Sequence, residues 1–132
     1  IILNYLICNG DAHIKNFSLY SKADSIEYFL TPNYDLLNTR FHINEKYGDM
    51  AIDLLDDYTS TYEAYGYYTY DDFKTFAKYI DLLEIRFNKI MKFIEDSYQE
   101  VEILIDKSFL SPKAKEFYKE SYKDRMKRLR VK

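Results

Sequence analysis

The spacing of apolar residues changes twice along this chain. From Ile1 to Cys8 the residues are apolar nearly all round (Ile1, Ile2, Leu3, Tyr5, Leu6, Ile7), which predicts a short buried helix stopping at the Asn9-Gly10 turn signal. A loop then runs through Asn16. Residues 17–20 (Phe-Ser-Leu-Tyr) and 26–31 (Ile-Glu-Tyr-Phe-Leu-Thr) have strand composition and flank a turn-like Ser-Lys-Ala-Asp-Ser, so a short hairpin is expected, closed by Pro32 and Asn33. Met50–Leu54 reads as another short strand or a helix start, because the run is too short for its period to decide. Residues 56–68, acidic and tyrosine-rich around Gly66, read as a loop that lays its rings on a helix.

Beyond that loop the spacing becomes helical. Thr69 followed three residues later by Asp72 is a capping-box start with a carboxylate at the helix N-terminus, and Phe73, Phe76, Ala77 and Ile80 share a face. Leu83, Phe87, Ile90, Met91, Ile94, Tyr98, Val101 and Ile105 recur every three or four residues and predict one long helix over 82–109. Ser111-Pro112, an N-cap residue with proline at the first helical position, opens a last helix through about Leu129. The fold class is therefore mainly α.

Composition narrows this picture. With 132 residues, 47% of them hydrophobic, the chain can bury one core, so 1–132 is expected to be a single domain. It starts at Ile1 inside an apolar run, as if an element had been cut, which reads as a fragment of something longer. The opening run lacks the basic region and small-residue cleavage site of a signal peptide. No stretch approaches the ~20 apolar residues of a membrane span, and a cytoplasmic location is expected. The lone Cys8 can form no internal disulfide and reads as a buried small apolar group.

Charge is uneven. Residues 113–132 carry nine Lys/Arg against three Asp/Glu, a net of +6, which leaves −9 of the overall −3 for residues 1–112. The tail has no glycine-hinged or base-stacking pattern, so direct nucleic-acid binding is not expected. Phe117, Tyr118 and Tyr122 lie at helical spacing within it, a stripe suited to docking the basic helix on the acidic body.

The chemistry concentrates in Asn9-Gly10-Asp11-Ala12-His13-Ile14-Lys15-Asn16 and in Pro32-Asn33-Tyr34-Asp35. Phosphoryl transfer needs a carboxylate to take or orient the attacking hydroxyl and hard oxygen ligands for Mg²⁺. Asp11 and Asn16 have the D-x-x-x-x-N spacing of a kinase catalytic loop, and Asp35 follows a hairpin that can return a second carboxylate to the same point. Singly, such residues are usually turn formers, caps or structural hydrogen-bonders.

The stretch Asp11-Ala12-His13-Ile14-Lys15-Asn16-Phe17-Ser18-Leu19, with Leu30-Thr31-Pro32-Asn33-Tyr34-Asp35-Leu36-Leu37, resembles the HipA-like serine/threonine kinases, toxins of bacterial toxin–antitoxin pairs. The resemblance is tight over residues 3–39. It implies the helical C-terminal lobe of a HipA/PI3-kinase-like protein kinase, with a short β-hairpin carrying the catalytic and metal loops. It further implies Asp11 as the catalytic aspartate, and Asn16 and Asp35 as magnesium ligands. Lys15 is placed to neutralise a phosphate oxygen of ATP, and His13 to orient Asp11 or to serve structurally. Leu36 and Leu37 stand where ordinary kinases have Phe-Gly, so no phenylalanine flip is expected. Partners implied are an N-terminal kinase lobe or subunit, a protein substrate and an antitoxin. Gly10, Gly48 and Gly66 are too scattered to form a phosphate-gripping loop, so this chain alone is expected to bind ATP poorly. Two alternatives stay open: a small-molecule kinase of the aminoglycoside-phosphotransferase type, whose loops also read G-D-x-H-x-x-N, and a non-catalytic docking module.

Overall fold

A computed structural model describes residues 1–42 and 50–130. Gly48 and the last two residues of the basic tail lie outside that range. Six helices and a two-stranded antiparallel hairpin are formed among the described residues.

Helix α1, Ile2–Leu6, buries Tyr5 and Leu6 completely. It ends because Cys8 takes a left-handed backbone (φ 57°), which breaks the hydrogen-bond ladder before the Asn9-Gly10 turn. Cys8 is buried, as expected of a small apolar side chain. The hairpin is shorter than the two strands expected: β1 is Leu19–Tyr20 and β2 is Phe29–Leu30, with Leu19 opposite Leu30 and Tyr20 opposite Phe29. All four residues are exposed, so no packed layer extends the pairing. One further bond, from the Thr31 amide to the Ser18 carbonyl (2.9 Å), reaches past the ladder.

Met50–Leu54 is neither strand nor helix but a series of bends that drops Leu54 into the core. Within the expected loop 56–68 lies a helix, α2, Ser60–Tyr65. The Thr59 side chain accepts the Tyr62 amide at its start, and Gly66 ends it in a left-handed conformation (φ 71°). The rings do pack as expected: Tyr68 lies 6.2 Å from Phe73, centroid to centroid.

Helix α3, Tyr70–Tyr79, starts at the expected capping box. The buried Asp72 carboxylate accepts the Thr69 amide (2.6 Å), the Thr69 hydroxyl (2.7 Å) and the Thr59 hydroxyl, so one side chain ties together the starts of α2 and α3. Phe73 and Ala77 are buried, whereas Ile80 lies past the helix end and is exposed.

The single helix expected over 82–109 is two: α4, Glu84–Asp96, and α5, Tyr98–Lys107. The chain bends at Ser97, a residue type whose short side chain tolerates helix irregularity. Just beyond it, Tyr98 stacks on Tyr122 (5.8 Å). Helix α6, Pro112–Arg128, opens as expected, with the Ser111 hydroxyl accepting the Ala114 amide (3.3 Å).

The core gathers Tyr5, Leu6, Leu54, Tyr68, Phe73, Ala77, Phe87, Tyr122, Met126 and Leu129. Helix α6 packs on α1 and α5. Its aromatic stripe docks: Phe117 and Tyr118 meet Phe41, at 5.3 and 6.2 Å. Lys119 of this helix meets Asp106 (2.7 Å), and Arg130, just past its end, meets Glu95 (3.6 Å). No described helix is long and apolar enough to cross a membrane.

Candidate active site

Two loops leave the core side by side. One follows α1 through Asn9 and ends in a 3-10 turn, Ile14–Asn16; the other follows β2 through Asp35 to Thr39. Each contains a non-glycine residue in the left-handed region, Cys8 (φ 57°) and Asp35 (φ 55°). That conformation costs an L-residue of order 1–3 kcal/mol and persists only where its surroundings hold it.

What holds them is a set of hydrogen bonds between the loops. The buried Asn9 side-chain amide donates to the Asp35 carbonyl (2.9 Å) and to the Asn4 side chain (3.1 Å), while its oxygen accepts the Asp11 amide (3.3 Å). One carboxamide thus fixes the backbone of both Asp11 and Asp35. Thr39 makes a second stitch: its hydroxyl accepts the Gly10 amide (2.9 Å), and both its hydroxyl and its amide donate to the Cys8 carbonyl (3.2 and 3.1 Å). Tyr34 makes a third, donating to the Lys15 carbonyl (2.9 Å) and meeting the Ser18 hydroxyl at 2.7 Å.

At the end of these stitches, Asn16 and Asp35 are brought together. The Asn16 side-chain amide donates to Asp35 Oδ2 (2.9 Å). The other end of that side chain, Asn16 Oδ1, is buried and has no hydrogen-bond partner among the described residues. A buried carbonyl oxygen without a donor is costly unless something electropositive meets it, and here it lies beside an exposed carboxylate. This donor set, one amide oxygen and one carboxylate, fits a hard cation such as Mg²⁺, which prefers oxygen and keeps places for phosphate and water. Among the described residues no three His, Cys, Asp or Glu cluster as an all-protein metal cage.

Asp11, His13 and Lys15 have exposed side chains on the same loop. Their fixed contacts run through the backbone: the His13 amide donates to the Asp11 carbonyl (2.8 Å), and the Asn16 amide to the His13 carbonyl (2.9 Å). Asp11 is therefore placed relative to Asp35 by Asn9. After Asp35, Leu36 and Leu37 line an apolar groove of about 240 Å³ with Leu6, Val101 and Tyr122.

Asn9 and Tyr34 lie inside the two motif stretches without an assigned role, and Thr39 lies outside them. Asn9 carried only a turn signal; that it is a buried hinge between loops depends on a contact 26 residues away.

The family model of the HipA-like C-terminal domain matches residues 1–104, and the chain belongs to that family. Membership relates it to the HipA-type kinases. No curated protein matches the chain. Helix α6 lies beyond the matched residues.

Proposed function

We propose that this domain supplies the catalytic-loop half of an ATP- and Mg²⁺-dependent serine/threonine protein kinase of the HipA toxin type. The observation that carries the reading is the Asn16–Asp35 contact, with a buried, partnerless Asn16 Oδ1 next to the carboxylate.

In this reading a protein hydroxyl attacks the γ-phosphorus of ATP, the bond to the bridging oxygen breaks and ADP leaves. Asp11 accepts the proton lost by the hydroxyl, from an exposed loop position that a protein substrate can reach. Asn16 and Asp35 hold Mg²⁺, which supplies neutralising charge to the phosphate oxygens. Lys15 offers an exposed ammonium to a phosphate oxygen, and His13 flanks Asp11. A nucleotide-gripping lobe, on the same polypeptide or on another subunit, delivers ATP. An antitoxin and a cytoplasmic setting complete the proposal.

The test is phosphotransfer from ATP to a panel of proteins, using protein that carries both lobes. Asp11→Ala and Asp35→Ala are each expected to lower the rate roughly hundredfold or more. Phosphotransfer that survives either substitution overturns the reading.

A further inference from the structure

Arg125 comes from the far end of α6, 117 residues from Cys8, yet its Nε donates to Cys8 Sγ at 3.4 Å. Its guanidinium is buried and stands over the Tyr5 ring, 4.6 Å from the centroid. Both partners belong to the segment that launches the catalytic loop. Cys8 is the left-handed residue at the start of that loop, and its carbonyl is the acceptor that Thr39 uses to stitch on the metal loop. The next residue, Asn9, fixes the Asp11 amide and the Asp35 carbonyl. A linked path therefore runs from α6 through Cys8 to both aspartates.

We propose that Arg125 is a positioning residue for the phosphotransfer site: by gripping the Cys8 thiol it holds the left-handed turn that sets the spacing of the catalytic and metal loops. The last helix, outside the matched family region, is then part of the site's support. Groups hydrogen-bonded to metal ligands change metal affinity without touching the metal; Asn9 is bonded to Asp35 in that way, and Arg125 acts on it through its neighbour Cys8. The inference rests on the metal-site reading above.

The test is a Mn²⁺ titration of the full 132-residue chain, followed by broadening of the Asn16 side-chain amide signal in NMR spectra. It compares the wild type, Cys8→Ala, Arg125→Met and the double variant. Each single substitution is expected to raise the Mn²⁺ dissociation constant about tenfold. The double variant is expected to be no weaker than the weaker single, because both break one link. If Arg125 serves only to fill the core, Arg125→Met lowers the melting temperature and leaves the metal constant unmoved, which overturns the proposal. Independent effects that multiply to about a hundredfold in the double variant overturn it as well. Should Arg125→Met fail to fold, Cys8→Ala decides, since it keeps the guanidinium and removes only the sulfur. A tenfold weaker constant there supports the link and an unchanged one refutes it. A wild-type chain that shows no Mn²⁺ effect at Asn16 removes the metal-site reading itself, an outcome separate from those of the variants.

Discussion

The helical body and the paired loops are held by different forces. In the body, α1 and α3 to α6 converge on buried rings and aliphatic side chains: Phe73 lies 5.2 Å from Tyr5, and Tyr70 lies 5.4 Å from Phe87. In residues 9–39 the buried side chains are mostly polar, Asn9 and Asn38 with Ala12, while Ile14, Ile26 and Leu30 face solvent. Burial stabilises the first region and is indifferent to small changes of angle; hydrogen bonds define the second and tolerate little. The consequence is a separation of labour: damage to the body should remove the fold, and damage to the loops should remove the site while sparing the fold.

The largest expected effect lies in the body. Phe73→Ala deletes a buried ring and should destabilise the chain by roughly 3–5 kcal/mol in denaturant unfolding. A loss below about 1 kcal/mol would break the contrast, because it would mean that the apolar cluster does not carry the fold. Asp72→Ala comes next. It takes the acceptor from the Thr69 amide and from the protons of the Thr59 and Thr69 hydroxyls at the joined starts of α2 and α3, an expected cost of about 2–3 kcal/mol by thermal unfolding.

Asn9→Ala sharpens the comparison from the other side. It should cost only about 1–2 kcal/mol of stability. It should nevertheless abolish the metal binding proposed at Asn16, because Asp11 and Asp35 lose their shared anchor. Equal retention of both properties would contradict the division.

A pH effect follows in the body. Burial pushes the Tyr68 hydroxyl well above its ordinary value, with the Leu54 amide bond opposing and Asp53 adding to the rise. A raised folded-state value means that the fold prefers the protonated phenol. This contribution is whole below about pH 10, the unfolded value, and falls as pH rises beyond it. Tyr68→Phe should flatten that alkaline decline in a pH series of melting curves, and an unchanged decline would place its cause elsewhere.

The smallest effect is at the surface. Lys74 bonds Glu84 at 2.9 Å and, through that hydrogen bond first, holds its carboxyl below the ordinary value. Lys74→Ala should move the Glu84 titration upward in NMR spectra, with little change in melting temperature.

The two regions also differ in how far they could be read from the residues. The D-x-x-x-x-N spacing of Asp11 and Asn16 is a local pattern that stands out in the residues, whereas the contact of Asn16 with Asp35 joins positions 19 residues apart. Helices α3 and α6 were legible from period and caps, Thr69 with Asp72 and Ser111 with Pro112. Helix α2 was hidden because tyrosines and acids give no apolar period, although Thr59 and Gly66 bracket it with cap signals. The bend at Ser97 was hidden for the opposite reason: the period runs through it unbroken. The supports of the site, Asn9 with Asp35 and Arg125 with Cys8, are tertiary contacts between residues that look ordinary one at a time.

The central claim is that the base loop and the metal loop form one site, with Asn16 and Asp35 as its cation ligands. Its most direct test maps paramagnetic broadening by Mn²⁺ across the backbone and side-chain amides of the chain. The expected result is early, saturable broadening at Asn16 and Asp35 with Asp11 close behind, lost in Asp35→Asn while the melting transition stays intact. Broadening centred instead on the acidic run at Asp56 and Asp57, and unchanged in Asp35→Asn, would contradict it.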